Sequence, residues 1–557
     1  MSVIHQAAVP APDDDVPTST SREQRETEDQ ISDLFTPFRS SSSSSASASE
    51  PAQSAQAGLS LPSLSKSKHL AFLKKGLQPL PAGYVVFDAT RPWLIYWASQ
   101  ASLLLSSPFD ADMSARATST LLSCQSPMGG FGGGPGQIPH LMATYAAVLA
   151  LAIVSGPGHA PDIADAAGPS SSSSGGGGGG GKSGWDSIDR SAMYNMFMSL
   201  KQPDGSFTVH HGGEIDVRAA YCVVTVSLLL GIATPELFEG LPSFLGSCQT
   251  YEGGLASASH PAYKTSSNGK VTIDPNAPRP TLGEAHAGYA FCALASHLAL
   301  SLLPLPASEP SEPRIDVSAL VAWSASLQAN AADGGGFRGR TNKLVDGCYG
   351  WFSGGGMFTC LQAAVEMEAG QWWKEAETGS IPAQSTGEAM EADDVWQADD
   401  GESSYPLSLP ADGVLFDRAA LQEYVLVVAQ EALGGLRDKP GKRPDLYHTC
   451  YNLSGMSLAQ HRLRLDLDGR SELAASFKYG TNSPEPSDAR HAAPWEKKDL
   501  HEWRRACYAS SLSWNADAEK VNVVGDGGKN WLLPTHPIFN IPFPCAKSMM
   551  DWSYGQS

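Results

Sequence analysis

The sequence predicts an all-α protein, an α/α toroid made of repeated helical hairpins, and three observations carry that prediction. A glycine-containing turn recurs five times. A helix-length stretch rich in Ala, Gly and Cys follows each turn. Runs with the apolar–polar alternation of half-buried strands are few. The turns read CQSPMGGFGG at 124, LKQPDGSFTV at 200, CQTYEGGLAS at 248, DGGGFRGRTN at 333 and ALGGLRDKPG at 432, and a glutamine accompanies each (Gln125, Gln202, Gln249, Gln328, Gln430). One hairpin cannot bury its apolar face alone, so neighbours must stack. Glycine permits the left-handed backbone of the turn, and the small residues let the second helix pack as an inner layer. Five or six such hairpins can close into a ring, with the turns and the inner helices' N-termini at one end as a funnel mouth.

In chain order, residues 1–60 are rich in Ser, Ala and Pro and read as a mostly disordered tail. One amphipathic piece there, TEDQISDLFTPF, is expected to dock as a helix. The toroid is assigned to 61–557. Insertions interrupt it at about 168–184 (GPSSSSSGGGGGGGKSG), at 366–417 and at 465–530, the last irregular, polar and mixed. Glu366 to Glu402 holds eleven acidic residues and one Lys, about half of the net charge of −20. That balance excludes a general nucleic-acid binder.

No apolar run approaches the ~20 residues of a spanning helix, so no stable membrane insertion is expected. Met1–Asp15 is polar and Pro-rich, unlike a signal peptide. The nine cysteines are scattered. A reduced, cytoplasmic enzyme with buried or chemically employed thiols fits.

The stretch FRGRTNKLVDGCYGWF (337–352) is the least scaffold-like. Asp346 and Cys348, with His448 opening the next inner helix, form a three-ligand set that leaves a tetrahedral zinc one open position, as catalytic sites do. Asp-x-Cys alone is equally what a helix-capping Asp before a small buried Cys produces. Cys450 is a conceivable fourth ligand, two residues past His448. Arg340, Lys343, Tyr349 and His286 together suit a phosphate or diphosphate, although a solvated loop would carry the same charges. Trp93 and Trp97 share a helix face, as do Arg218 and Tyr221, consistent with core packing or with an aromatic-walled pocket for an apolar tail.

RPWLIYW, CQSPMGGFGGGPGQIPHL, DVRAAYC, EAHAGYAFC, GRTNKLVDGCY, LRDKPGKRPDLYHTCYNLSG and PTHPIFNI, in order from about Thr27 to Asn540, resemble the β subunits of protein farnesyltransferases. The resemblance skips the low-complexity insertions and is poor over 465–530. It implies zinc on Asp346, Cys348 and His448. It implies a farnesyl diphosphate clamp of His286, Arg340, Lys343 and Tyr349. Trp93, Trp97 and Tyr447 would receive the end of a CaaX peptide. Arg218, Tyr221, Tyr289 and Cys292 would line the isoprenoid wall, with Phe352 where the family has Trp and Trp351 beside it. It further implies an α-subunit partner and magnesium on the diphosphate, at Asp438. Cys348, Asp346, His448, Tyr349 and Lys343 are thus the residues expected to serve the chemistry. The alternatives are a type I geranylgeranyltransferase β subunit and a non-catalytic toroid that binds a lipid or a partner. Trp93 and Asp438 resemble the farnesyl enzymes rather than the geranylgeranyl ones.

Overall fold

The computed structural model describes residue 3 and residues 16–39, 60–78, 82–156, 184–306 (without 268, 270 and 275), 312–377, 414–479, 493–518 and 521–556. Helix α1 (Ser19–Phe35) precedes six hairpins. Their outer helices are α2 (Lys66–Gly76), α4 (Ala111–Ser123), α6 (Arg190–Leu200), α9 (Leu241–Ser247, after the single turn α8, Pro235–Phe238), α11 (Val317–Ala325) and α13 (Arg418–Glu423, continued by a π-helix over Tyr424–Ala429). Their inner helices are α3 (Arg91–Leu104), α5 (Leu141–Val154), α7 (Val217–Leu229), α10 (Ala287–Ser301), α12 (Gly356–Glu377, led in by a π-helix over Gly350–Gly355) and α14 (Leu446–Gln460). Each inner helix packs on the next and α14 packs back on α3, so the ring is closed. The inner helices are buried almost all round, as a second layer inside a first must be.

The recurring turns close the ring. In each, the residue before the turn pairs with the apolar residue after it: Gln125 with Phe131, Lys201 with Phe207, Gln249 with Leu255, Gln328 with Phe337, Gln430 with Leu436. The glutamine amide then grips the backbone that starts the next outer helix. Gln249 accepts from Asp316 N at 2.7 Å and donates to its carbonyl at 2.9 Å, and Gln328 does the same at Asp417. Gln125 holds Asp189 N and Ser187 O. Gln430, in the last turn, holds Ser65 N and Ser63 O at the start of the first outer helix. In the second turn Lys201 occupies this position, bonding the Glu236 carbonyl; Gln202, expected to be the equivalent, lies one residue off register.

A second belt runs around the mouth. The starts of five of the six inner helices each donate a backbone hydrogen bond to the loop of the following hairpin: Arg91 N to Gly133 O, Leu141 N to Val209 O, Val217 N to Ser257 O, Ala287 N to Gly339 O and Gly347 N to Asp438 O, all at 2.8–3.0 Å. Side chains from successive hairpins are therefore held at one height.

Beyond α14 come β3 (Leu463–Leu465), α15 (Leu467–Ser476), α16 (His501–Leu512), β4 (Trp514–Ala516), which pairs with β3, and α17 (Gly527–Asn530). Residues 465–530 were expected to be irregular. Much of the described part is helical instead, because Trp503, Cys507 and Tyr508 give α16 a buried face. The chain then enters the ring from the end opposite the turns. The hydroxyls of Tyr96, Tyr145 and Tyr221 donate to the carbonyls of Asn540, Phe539 and Ile538. Helix α18 (Phe543–Tyr554) completes the fold. A second strand pair, β1 (Tyr263–Thr265) with β2 (Val271–Ile273), lies in the loop between α9 and α10.

The amphipathic piece near the N-terminus belongs to α1, which begins earlier than expected, at Ser19, behind a Thr18–Ser21 capping box, and buries Ile31 and Phe35. The expected insertions at 168–184 and 366–417 lie largely outside the described residues; of the second, residues 366–377 continue α12 and residues 414–417 lead into α13. Among the described residues no helix is long and apolar enough to cross a membrane.

Candidate active site

Asp346, Cys348 and His448 converge at the mouth, on two consecutive inner-helix starts. Their ligand atoms all lie within 4.8 Å of one another. Asp346 Oδ1 accepts from the Cys348 amide at 2.9 Å and lies 3.3 Å from His448 Nε2. Asp445, the N-cap of α14, accepts from the His448 amide and takes the ring's Nδ1–H at 2.7 Å. Asp445 thus aims Nε2 at Asp346 and Cys348. Gly347 between the ligands has no room for a side chain. A Cβ there would run into Asn452 and come within 2.8 Å of the Arg437 carbonyl.

The electrostatics are those of a site short of positive charge. Cys348 is 3% exposed, and burial, then the charge of Asp346, pushes its thiol pKa well up. Burial alone would lower His448, but hydrogen bonds and charge from Asp346 and Asp445 outweigh it and raise the imidazole to about 10. Burial raises Asp346 too, yet His448 overcomes it and holds the carboxyl below its ordinary range. The imidazolium proton is the counter-charge that a divalent cation would replace. A carboxylate, a thiol and an imidazole lone pair in this convergence fit zinc. Cys450, fully buried on another side of α14, does not join them.

Of the residues expected to clamp a diphosphate, His286, Arg340 and Tyr349 stand beside this trio. Arg340 and Lys343 sit in a loop closed by the Arg338–Val345 pair, with Asn342 at φ 60°. His286, the N-cap of α10, accepts from Gly288 N through Nδ1, so its Nε2–H is free to donate to the Tyr349 hydroxyl at 3.0 Å. Burial, then Arg340, lowers the His286 pKa, keeping the ring neutral. Arg340 pairs with Glu284 at 2.6 Å. Asp438 differs from expectation. Both its oxygens are taken by Lys439 Nζ, at 2.7 and 2.6 Å, with both side chains largely buried. As it stands, the carboxylate is paired within the chain and presents no open oxygen to a magnesium ion.

Below the mouth, aromatic rings form a closed cycle around the ring's interior. Trp93 stacks on Trp97 at 5.4 Å, and Trp97 meets Tyr447. The cycle continues through Tyr451, Phe352, Phe291, Tyr221 and Tyr145 and returns to Trp93, every step between 4.7 and 5.9 Å. All six inner-helix segments contribute. Tyr289 carries the Arg218 guanidinium over its face at 5.3 Å, and Asp216 holds that guanidinium from below with three hydrogen bonds. Cys292 is buried in the same wall.

Residues 64–541 match the family model described as the prenyltransferase alpha-alpha toroid domain. The chain is 35% identical over 391 residues to the protein farnesyltransferase subunit beta of Pisum sativum, covering 67% of this chain and 78% of that one. It is 32% identical over 495 residues to the corresponding subunit of Schizosaccharomyces pombe, covering 89% and 92%. The chain belongs to the protein farnesyltransferase β-subunit family. Its similarity to the geranylgeranyl transferase type-1 subunit beta of Arabidopsis thaliana is lower, 27% over 279 residues, half of this chain.

Within this farnesyltransferase β fold, the structure brings Asp346, Cys348 and His448 together, and places His286, Arg340 and Tyr349 beside them. Trp93, Trp97, Tyr447, Tyr221 and Phe352 all fall in the aromatic cycle. Trp351 does not: it is 1% exposed, packed behind Phe291, so Phe352 alone faces the ring. Sequence reasoning missed Asp445, whose signal is an N-cap Asp three residues before a ligand His. It also missed Tyr145, Phe291 and Tyr451, which lie near the starts of alternate inner helices. A cleft of about 750 Å³ lined by Leu302, Met367, Arg470 and Arg505 lies at the other end of the inner helices and holds none of these residues.

Proposed function

We propose that the chain is the catalytic β subunit of a protein farnesyltransferase, moving a C15 group from farnesyl diphosphate to the cysteine thiol of CaaX-ending proteins, in the cytoplasm and paired with an α subunit. The observation that carries this reading is the convergence of Asp346, Cys348 and His448 beside an anion clamp, at the mouth of an aromatic-lined ring. When held by Asp346, Cys348 and His448, zinc supplies a Lewis acid that lowers the pKa of an incoming thiol.

The chain's own residues do the rest. The isoprenoid lies against the aromatic cycle, which excludes water from the carbon to be attacked. Arg340, Lys343 and the hydroxyl of Tyr349 receive the diphosphate, and His286 Nε2–H orients that hydroxyl. The thiol gives up its proton to solvent, and its sulfur bonds to C1 of the isoprenoid as the C1–O bond breaks. The electron pair leaves with the diphosphate, whose growing charge the clamp stabilises. Arg218, fixed by Asp216, offers its remaining donors to a peptide carboxylate. Trp93, stacked across the wall, supports a C15 rather than a C20 chain.

The test uses the chain co-expressed with an α subunit, a CaaX peptide, and equal C15 and C20 diphosphates. A farnesyl thioether as main product is expected, with one zinc per heterodimer. A C20 product would favour the geranylgeranyl reading. No product and no zinc would leave a lipid- or partner-binding toroid.

A further inference from the structure

We propose that Lys439 is a further cation of the diphosphate site, held on Asp438 until the anion arrives. The proposal rests on the farnesyl-transfer reading and deepens it. Its geometry is set by the belt around the mouth. The Asp438 carbonyl accepts from Gly347 N at 2.8 Å, and Gly347 lies between two zinc-trio residues. The same carbonyl takes the Tyr424 hydroxyl at 2.8 Å. The Asp438–Lys439 backbone is therefore locked one residue from Asp346 and Cys348.

The side chains follow. Lys439 is 14% exposed and Asp438 15%, so the ammonium is held against that carboxylate, largely out of bulk water. Asp438 lies near enough to Asp346, His448 and Tyr349 for their charges to be felt. Tyr349 belongs to the clamp, so the ammonium is within the clamp's neighbourhood.

An ammonium on a four-carbon stem is a movable point charge with three donors. It can exchange one carboxylate for a more highly charged diphosphate without any movement of its backbone. Arg340 provides a parallel, since it too sits on a carboxylate, Glu284, at 2.6 Å. Arg340 and Glu284 are 39% and 54% exposed, whereas the largely buried Asp438 keeps Lys439 from being left unpaired in a partly dry mouth.

The experiment is calorimetric titration of inorganic pyrophosphate into the zinc-loaded heterodimer in magnesium-free buffer. Wild type, Lys439→Met and Asp438→Asn are compared, each after its zinc content has been measured. Lys439→Met is expected to weaken binding about tenfold, the value of one charge-assisted hydrogen bond. Asp438→Asn, which frees the ammonium, is expected to tighten it about threefold or more. Lys439→Met within twofold of wild type would overturn the proposal, as would weaker binding by Asp438→Asn. If Lys439→Met fails to hold zinc, the Asp438→Asn arm decides alone. A wild-type heterodimer that binds no pyrophosphate would sink the clamp itself, and this proposal with it.

Discussion

His286 and His448 both open inner helices, yet their ring nitrogens are used in opposite ways. Nδ1 of His286 is an acceptor for Gly288 N, which leaves a donor at Nε2 for the clamp. Nδ1 of His448 donates to Asp445, which leaves Nε2 as the ligand atom. Replacing Asp445 by Ala should therefore lower zinc affinity about 10- to 100-fold with the fold intact, read by competition with a chromophoric chelator. Cys348→Ala should abolish stoichiometric zinc and thioether formation together; retained activity would remove the zinc trio from the mechanism. The trio is legible in the sequence because Asp-x-Cys and Tyr-His-Thr-Cys start consecutive repeats. Asp445 is less so, since an Asp at that place reads as a helix cap and nothing more. Lys439 is hidden for another reason: only side-chain placement reveals that it occupies Asp438.

At the scale of elements, each Gly turn carries information for two hairpins. Its pairing fixes its own helix–helix angle, and its glutamine fixes where the next outer helix begins. Gln249→Ala would remove two hydrogen bonds to the exposed Asp316 backbone, at a cost of about 1 kcal/mol. Gln430→Ala should cost a similar amount, because it opens the link between last and first hairpins. Denaturant midpoints check both; unchanged midpoints would show the clamps to be incidental. The repeat is readable because the glycines and the following aromatic recur, and the Gln202 misreading arose where lysine replaces glutamine in the pairing. The aromatic cycle is not readable in advance. In helices as apolar as α5 and α10, an aromatic facing the interior and one facing the outer layer have the same neighbours in sequence.

For the whole molecule, the closed ring depends on the segment that enters it from below. His536 anchors that segment. Its Nδ1 accepts from the amides of Ile538 and Phe539, and its Nε2–H donates to the Ser511 carbonyl. Burial lowers its pKa to about 3 in the folded chain, against a backbone hydrogen bond that favours charge. The unfolded chain takes up the proton near pH 6.5 while the folded chain does not. Stability thus rises with pH across that interval and is lost as pH falls from about 6.5 toward 3. The contribution of this one group should be about 1.4 kcal/mol per pH unit. Urea midpoints of wild type and His536→Gln between pH 4 and 6 measure it, and equal slopes would refute the assignment.

The ring, the belt and the trio converge on one claim: a single zinc is held where three side chains from adjoining hairpins meet. Anomalous diffraction at the zinc edge, from crystals of the heterodimer, tests it most directly. The account predicts one strong peak within bonding distance of an Asp346 oxygen, Cys348 Sγ and His448 Nε2. A zinc-replete crystal with no peak there, or with the peak on other residues, would contradict it.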